Sequence, residues 1–457
     1  MAGSLSATGF DLTPAPKQQV LASNYLKDFN FLDQYLPDVK EEEFEKYGDR
    51  TVASFLRMVG AEMPFTSDLI KWVEQGRLHI KYVNCESDGA AADATATITV
   101  NDSDLSTLAI RKNQTVHISV TDGALANRAI VTAVDYTAGT FDVAYYESGG
   151  QAFAATDTLT VFVYGSEFGK GTQGMQESLE AESNILDNKP LILKDNYEVN
   201  GSDMAQIGWV NVTTENGADG FLWYIKSEHE TRLRFEDYLE TSLLEAVPME
   251  NTTNAGIAEG SDGLFYSVES RGNVWSGGNP STLAEFDTIV QALDKEGAIE
   301  ENVIFNNREF GFDIDDMLAS VSNPPSASFG LFDNDIDMAL NLGFDGFRRG
   351  YDFYKSDLKY FNHATMRGGI TGDKISGIIM PAGSTTVYDQ VLGKNARRPH
   401  LHVRYRASET TDRKMQTWIT GGQAGAPTDD IDAMRVNFLS ERALCTLGAN
   451  NFFLVKG

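Results

Sequence analysis

The ten-residue stretch RRPHLHVRYR, at 397–406, is the densest cluster of side chains that could do chemistry. It contains Arg397, Arg398, Arg404 and Arg406, together with His400 and His402. The stretch has the character of a strand, in which alternate side chains share a face, so both imidazoles would point the same way. Such a pair suits a metal ion, but a closed zinc site needs about four nitrogen or sulfur ligands. The sequence supplies no ligand set around the pair, so we predict a partly buried strand face, with no metal and no cofactor.

Guanidinium groups bind either phosphate or carboxylate, because their paired N–H donors match both anions. The chain carries 66 Asp and Glu against 37 Lys and Arg, a formal net charge of -29 at pH 7. A wrapped nucleic acid would instead need clustered positive charge. We therefore predict carboxylate partners, within the chain or on a neighbouring copy, for Arg397, Arg398, Arg404 and Arg406.

An acidic run at 333–337, DNDID, begins like a calcium-binding loop. The template then fails, because Met338 stands where glycine is needed and Phe344 where glutamate is needed. We expect no calcium site here.

Two carboxylate groups have the composition of an acid hydrolase site. Helix capping and solvated turns explain the same residues, so both readings stay open. The groups are Asp313, Asp315 and Asp316, and Asp429, Asp430 and Asp432. Phosphate-loop, dinucleotide-fold, nucleophile-elbow and zinc-protease motifs are all missing from the sequence. A Ser-His-Asp triad that converges only in space stays open, and we predict that the chain is not an enzyme.

The bulk composition describes a folded chain of several domains. At 457 residues, with 42% hydrophobic and 11% aromatic residues, two or three domains with real cores are expected. The two cysteines, Cys85 and Cys445, are far apart, which favours a reducing compartment over a disulfide framework. The sequence shows no signal-peptide pattern and no apolar run of membrane-spanning length.

A change of composition near residue 85 marks a separate β-rich segment. Short Thr- and Val-rich runs with period-two alternation, such as TATITV and TLTVFVYG, predict a small barrel or sandwich over 85–165. Extended stretches at 77–83 and 189–200 flank it, which indicates a domain inserted into a long β-hairpin. A helix is predicted just before it, over 67–75.

The remainder of the chain mixes helices and strands. Apolar residues at helical spacing predict one long helix over 221–247. Thr282 and Glu285 form a capping box, and Gly297 ends the helix that they begin. The chain ends on two apolar strands, predicted to pair with each other around Gly448-Ala449-Asn450.

This order of elements resembles the major capsid proteins of tailed bacteriophages, with the Hong Kong 97-type fold. The ending FLSERALCTLGANNFFLVKG carries the resemblance most strongly, and it is similar to endings in crAss-like phages. The implied fold class is α+β, with an N-terminal arm, an extended β-hairpin loop, a spine helix, and peripheral and axial domains, here with an inserted small all-β domain. The resemblance assigns 1–60 to the arm, 61–84 and 166–215 to the extended loop, 85–165 to the inserted domain, 216–280 and 434–457 to the peripheral domain with spine helix 221–247, and 281–433 to the axial domain.

The resemblance implies a structural protein of the virion. It would self-assemble in the host cytoplasm into hexamers and pentamers of an icosahedral shell around double-stranded DNA, without sequence-specific DNA contact and without a membrane. Portal, scaffold and head-decoration proteins would be its partners. On this view Arg397, Arg398, Arg404 and Arg406 lie near the contacts between subunits. Two alternatives remain: a tail or baseplate protein with a carbohydrate-binding β-domain, and an acidic glycoside hydrolase.

Overall fold

The computed structural model describes most of the chain from residue 62 onward. The described residues are 62–89, 95–101, 108–123, 125–147, 153–175, 179, 183–205, 212–213, 219–220, 223–250, 258–297, 299–322, 346–382, 384–389, 394–423 and 427–457. The predicted N-terminal arm and the calcium-like run at 333–344 lie outside them.

The described residues form an α+β structure, which confirms the predicted fold class. The strands are β1 (Glu62–Phe65), β2 (Ile70–Gln75), β3 (Lys81–Ser87), β4 (Ala96–Val100), β5 (Gln114–Val120), β6 (Ala126–Asp135), β7 (Thr140–Tyr145), β8 (Leu159–Ser166), β9 (Ser183–Asn188), β10 (Leu191–Asn200), β11 (Val212–Thr213), β12 (Asp219–Gly220), β13 (Asn273–Trp275), β14 (Glu301–Asn306), β15 (Gly346–Arg349), β16 (Tyr351–Asp357), β17 (Ile375–Pro381), β18 (Ser384–Asp389), β19 (Lys394–Pro399), β20 (Leu401–Arg406), β21 (Gln416–Thr420), β22 (Ala433–Thr446) and β23 (Phe453–Lys456). The helices are α1 (Gly201–Met204), α2 (Trp223–Glu245), α3 (Leu264–Arg271), α4 (Leu283–Glu296), α5 (Arg308–Ser322) and α6 (Lys359–Asn362).

The long helix predicted over 221–247 is confirmed as α2, within two residues at each end. The capping box of α4 is confirmed as well. The Thr282 hydroxyl accepts from the Glu285 backbone N–H at 3.3 Å, and Glu285 accepts from the Thr282 N–H at 3.1 Å. Hydrogen bonds from the backbone N–H groups of Ser281 and Thr282 to its carboxylate hold the pKa of Glu285 below its ordinary value. Among the described helices, none is long and apolar enough to cross a membrane.

The chain divides into two compact units. The first comprises the described residues of 195–235 and 417–438, and the second those of 62–194, 236–416 and 439–457. In the first unit the start of β22 lies beside β10 and β21, where Arg435 and Glu198 form an ion pair at 2.5 Å. The rings of Phe235 and Phe438 stack there with centroids 5.8 Å apart.

A six-stranded mixed sheet forms one core of the second unit, in the order β13-β23-β17-β14-β16-β15. Helices α4 and α5 contribute apolar side chains to this core. Its fully buried members include Phe286 and Ile289 of α4, Ile314 of α5, Phe353 of β16 and Ile379 of β17. The ends of α4 are set by its local capping residues, whereas its apolar side chains pack against the sheet.

The predicted pairing of the two C-terminal strands is wrong. Strand β22 pairs antiparallel with β20, whereas β23 pairs with β13 and β17 of the six-stranded sheet. The chain turns between them at Gly448, whose φ of 63° is the left-handed conformation that glycine adopts without strain. Because both strands are almost entirely buried, each needs two neighbours, and a two-stranded hairpin would leave both open on one side.

The predicted helix over 67–75 is wrong too, because Ile70–Gln75 is strand β2. It pairs antiparallel with β9, with Val73 opposite Ile185 and Trp72 opposite Leu186. The burial alternates along β2 as in a strand with one covered face. The local start and stop signals for a helix were misleading, because the partner strand β9 lies more than 100 residues further along the chain.

Two polar side chains anchor the β2–β9 ribbon. The Asn188 side-chain amide donates to the Leu444 carbonyl at 2.7 Å and accepts from the Asp262 N–H at 2.8 Å. At the other end, Glu74 accepts from the Gly448 N–H at 2.9 Å. A buried amide satisfied on both sides fixes one orientation of the ribbon base, because any other would leave it unpaired.

Residues 81–166 form a closed antiparallel barrel in the order β3-β4-β7-β6-β5-β8. Strands β5, β6 and β7 follow one another and β8 returns beside β5, which is a Greek-key arrangement. The interior is a separate apolar core that includes Ile98, Ile118, Phe141 and Val161, all at most 1% exposed. Closure leaves the barrel without a free edge, so it carries the main requirements for folding alone.

We expect residues 78–168 to fold as an isolated fragment, and the shorter fragment 85–165 to be less stable by at least about 3 kcal/mol. The shorter fragment loses half of β3, including Tyr82, which is 8% exposed and accepts from the Ala109 N–H at 2.6 Å. Thermal unfolding followed by circular dichroism would measure the difference. Equal melting temperatures for the two fragments would contradict this account of the barrel.

Candidate functional site

Strand β20 carries the two predicted site residues whose side chains the structure describes, Arg404 and Arg406. It lies between β1, which runs parallel, and β22, which runs antiparallel. Arg404 is opposite Met63 on one side and Ala443 on the other. The position is therefore inside a sheet, and the surrounding strands decide what each guanidinium contacts.

Arg406 forms ion pairs with two carboxylates of its own chain. Its Nη1 lies 2.7 Å from Glu441 Oε1, and its Nη2 lies 2.6 Å from Asp68 Oδ1. These hydrogen bonds raise the pKa of Arg406 above its ordinary value. Glu441 is 2% exposed and also pairs with Arg413, whose Nε lies 2.8 Å from Oε2. One buried carboxylate is thus held between two half-buried guanidinium groups, an arrangement that offsets the desolvation of Glu441.

The next residue of β22, Arg442, forms a second buried charge pair. Its Nη1 lies 3.1 Å from Glu62 Oε1, and its Nη2 donates to the Lys414 carbonyl at 3.1 Å. The Lys414 ammonium also contacts Glu62. Burial lowers the pKa of Arg442, and the nearby Glu62 carboxylate opposes that shift. Because Glu441 and Arg442 are adjacent on a strand, they point to opposite faces and fasten β22 on both sides.

Arg404 differs from Arg406 in its partners. Its Nη2 donates to the Pro64 carbonyl at 3.3 Å, and its Nε is buried without a hydrogen-bond partner. Among the described residues, no carboxylate lies within ion-pair distance of Arg404. It borders an open groove of about 690 Å³ beside β1, lined also by Phe65, Ile70, Lys71 and Tyr405. The groove combines an apolar floor with two cations and one carboxylate, that of Glu409, so its two cations outnumber its anion and suit a segment carrying a carboxylate.

Arg397 and Arg398 are not brought together with Arg404 and Arg406. Their backbones lie on β19, opposite Thr386 and Thr385 of β18, in a separate two-stranded sheet. The side chains of these two residues lie outside the described part of the structure. The four arginines of the 397–406 stretch therefore belong to two different sheets.

The histidines of the same stretch are buried. His400 and His402 are 7% and 4% exposed, and His400 Nδ1 lies 3.3 Å from the Leu447 carbonyl oxygen. Burial lowers the pKa of His400. Across the described ranges, no three His, Cys, Asp or Glu side chains converge as metal ligands. Within the described residues, the structure therefore provides no set of metal ligands around His400 and His402.

Three of the six carboxylates that composition offers to a hydrolase are held by other side chains of the protein. Asp313 accepts from the Asn279 side-chain amide at 2.8 Å, Asp315 lies 2.5 Å from the Lys355 ammonium, and Asp432 accepts from the Gln423 amide at 2.7 Å. Both cysteines are buried and free, and burial raises the pKa of the Cys445 thiol to about 12. A buried thiol with a raised pKa is a poor nucleophile, because the thiolate is the reactive form.

Sequence reasoning missed the carboxylates that complete the site, Glu62, Asp68 and Glu441. A signal was present for the last of them. The run FLSERALC places a Glu-Arg pair inside an apolar segment, and charged residues are buried only when paired. Glu62 and Asp68 had no such signal, because they lie more than 330 residues from β20 in the chain.

We expect the double substitution Arg406→Gln and Arg413→Gln to lower the free energy of unfolding by about 3–5 kcal/mol, since it leaves the Glu441 charge buried and unpaired. Adding Glu441→Gln should restore part of the loss, because no buried charge then remains. Urea denaturation followed by fluorescence would compare the double and triple variants. A triple variant less stable than the double variant would contradict the assigned role of Glu441.

Comparisons with known proteins find likeness in structure and not in sequence. No protein-family model matches the chain, and no curated protein matches it. Among solved structures, the chain is similar to one from Gordonia phage Cozz, with a TM-score of 0.42, 9% identity, and 96% of this chain and 98% of that chain covered. It is similar to one from Microbacterium phage Oxtober96, with a TM-score of 0.41, 10% identity, and 93% and 96% covered. It is also similar to the capsid of a native GTA particle, with a TM-score of 0.40, 8% identity, and 95% and 99% covered.

Two of these three solved structures carry the names of phages, and the third carries that of a GTA capsid.

Proposed function

We propose that the chain is the major capsid protein of a tailed bacteriophage, possessing no enzymatic activity. Copies of it would assemble into hexamers and pentamers of an icosahedral shell that encloses double-stranded DNA. The virion would be its location, the host cytoplasm its place of assembly, and portal, scaffold and decoration proteins its partners. A crAss-like phage remains the proposed source, on the resemblance of the C-terminal sequence.

The outward face of the β2–β9 ribbon is the observation that carries the proposal. Val73 and Ile185 lie opposite each other on that face, 60% and 66% exposed. A two-stranded ribbon is marginal by itself, and an exposed cross-strand apolar pair invites a covering surface. A protein that works as a monomer would gain nothing from this ribbon, whereas a shell subunit would cover it with a neighbouring copy.

The net charge of -29 fits the inside of a shell that packages DNA. An acidic wall repels the phosphate backbone, so the packed DNA would not adhere to it. We keep the division of the chain that the resemblance implies, into an extended loop, an inserted barrel, a peripheral domain and an axial domain.

Arg404 is the proposed contact between subunits. Arg406 has its carboxylate partners within its own chain. On β20, the residue proposed to face a neighbouring copy is therefore Arg404, at the groove beside β1. There the Arg404 guanidinium and the Lys71 ammonium would receive a carboxylate from the neighbour. Arg397 and Arg398 on the β18–β19 hairpin remain proposed contacts as well.

The purified protein should form shells, sheets or hexamer-sized rings at high concentration. Negative-stain imaging after size exclusion would show them. A clean monomer of 50.2 kDa that hydrolyses glycosides would contradict the proposal and favour the acidic hydrolase instead.

Arg404→Glu should lower the yield of assembled particles by at least about tenfold, equivalent to about 1.4 kcal/mol at the contact. The monomer should keep its circular dichroism spectrum, because Arg404 has no carboxylate partner among the described residues. Arg406→Glu is the matched comparison and should destabilise the monomer itself, since it sets a second carboxylate against Glu441. A normal yield of particles from Arg404→Glu would show that the groove is not part of the contact between subunits.

A further inference from the structure

A row of four side chains crosses the outer surface of the barrel on four neighbouring strands. Arg128 on β6 is opposite His117 on β5, His117 is opposite Phe162 on β8, and Phe162 is opposite Lys81 on β3. Directly opposed residues share a face of the sheet. With strands about 4.8 Å apart, the row spans about 14 Å.

Aromatic rings occupy the middle of this surface. Phe162 and Tyr164, two residues apart on β8, are 41% and 50% exposed. The His117 and Phe162 rings are tilted at 52° with centroids 5.2 Å apart, and the Phe162 and Tyr164 centroids are 6.5 Å apart. The barrel core does not need these rings, because the alternate residue Val161 fills the interior. Exposed neighbouring rings on one face form a platform on which an apolar surface can stack.

Polar groups surround the platform. Lys81 and Arg128 are exposed, and no carboxylate of the described residues lies within ion-pair distance of either. On the same side, the Tyr146 hydroxyl donates to Glu167 Oε2 at 2.5 Å, and Tyr146 is 46% exposed. Donors and acceptors thus stand beside exposed rings, which is the composition of a site that fixes an amphipathic ligand.

Charge decides which class of ligand fits. Between residues 81 and 166 the chain has four basic and ten acidic side chains, and the whole chain has a net charge of -29. This field repels nucleic acid and acidic polysaccharide. A neutral saccharide escapes the repulsion because it carries no charge. Its C–H faces can stack on the rings, and its hydroxyls can accept from and donate to the flanking groups.

We propose that the outer barrel surface formed by Lys81, His117, Arg128, Phe162 and Tyr164 is a binding site for a neutral saccharide chain. Phe162 and Tyr164 supply the stacking surface, and Lys81, His117 and Arg128 bind hydroxyls. The inference does not depend on the proposed role in a shell, because the barrel has its own core and the site lies entirely on it.

The test uses the full chain and defined probes. Saturation-transfer NMR would be recorded with cellohexaose, mannohexaose and, as an anionic comparison, hexaguluronate. We expect at least one neutral hexasaccharide to bind, and Phe162→Leu with Tyr164→Leu to weaken its binding by at least about tenfold, since an aliphatic side chain preserves burial but removes the ring. Tyr136→Leu, which alters a ring 51% exposed on the same barrel, is the matched control and should bind as the unaltered chain does.

Three outcomes would overturn the proposal: no binding of either neutral hexasaccharide at millimolar concentration, binding of hexaguluronate alone, or equal loss of binding in the Tyr136→Leu control. Circular dichroism of each variant separates a loss of the site from a loss of the fold. Particle formation by the ring variants is measured in parallel, so failure of saccharide binding and failure of assembly are distinguished.

Discussion

The burial of opposite charges on strand β22 is the constraint on which the second unit depends. Glu441 and Arg442 are 2% and 7% exposed on a strand whose other buried residues are mostly apolar. Each charge is stable there only with its partners in place, and those partners come from β1, β20 and the segment around 413–414. Apolar burial would tolerate several registers of these strands, whereas two adjacent buried charges directed to opposite faces tolerate one. The ion pairs therefore contribute more to fixing the register of these strands than to the stability of the sheet.

The barrel follows a different logic. Its interior is apolar and its strands close on themselves, so it needs no buried charge to select a register. Closure also frees its outer surface from structural duty, which is why aromatic side chains can stay exposed there. The ribbon lies between these cases. It is fixed at one end by Asn188 and near the other end by Glu74, yet it leaves an apolar pair uncovered. The second unit therefore combines a sheet fixed by buried ion pairs, a barrel with its own core and a ribbon with an exposed apolar pair.

Local patterns in the sequence predicted local structure well. The capping box of α4 and the extent of α2 needed only neighbouring residues, because caps and apolar stripes act within a few turns. The β-rich composition of 85–165 likewise indicated short alternating strands. The predictions over 67–75 and at the C-terminus failed for one shared reason. In both places a strand is specified by a partner distant in the chain, β9 for β2 and β17 for β23, and no local spacing reports such a partner.

By itself, the sequence determined the acidic charge, the α+β composition, the resemblance to phage capsid proteins and the arginine-rich character of 397–406. Only the tertiary structure decided what those arginines do. It satisfied Arg406 with Glu441 and Asp68, left Arg404 at a groove, and placed Arg397 and Arg398 in another sheet. The residue type fixes the sign of a charge. Which opposite charge lies beside it depends on strands that are brought together only when the chain folds.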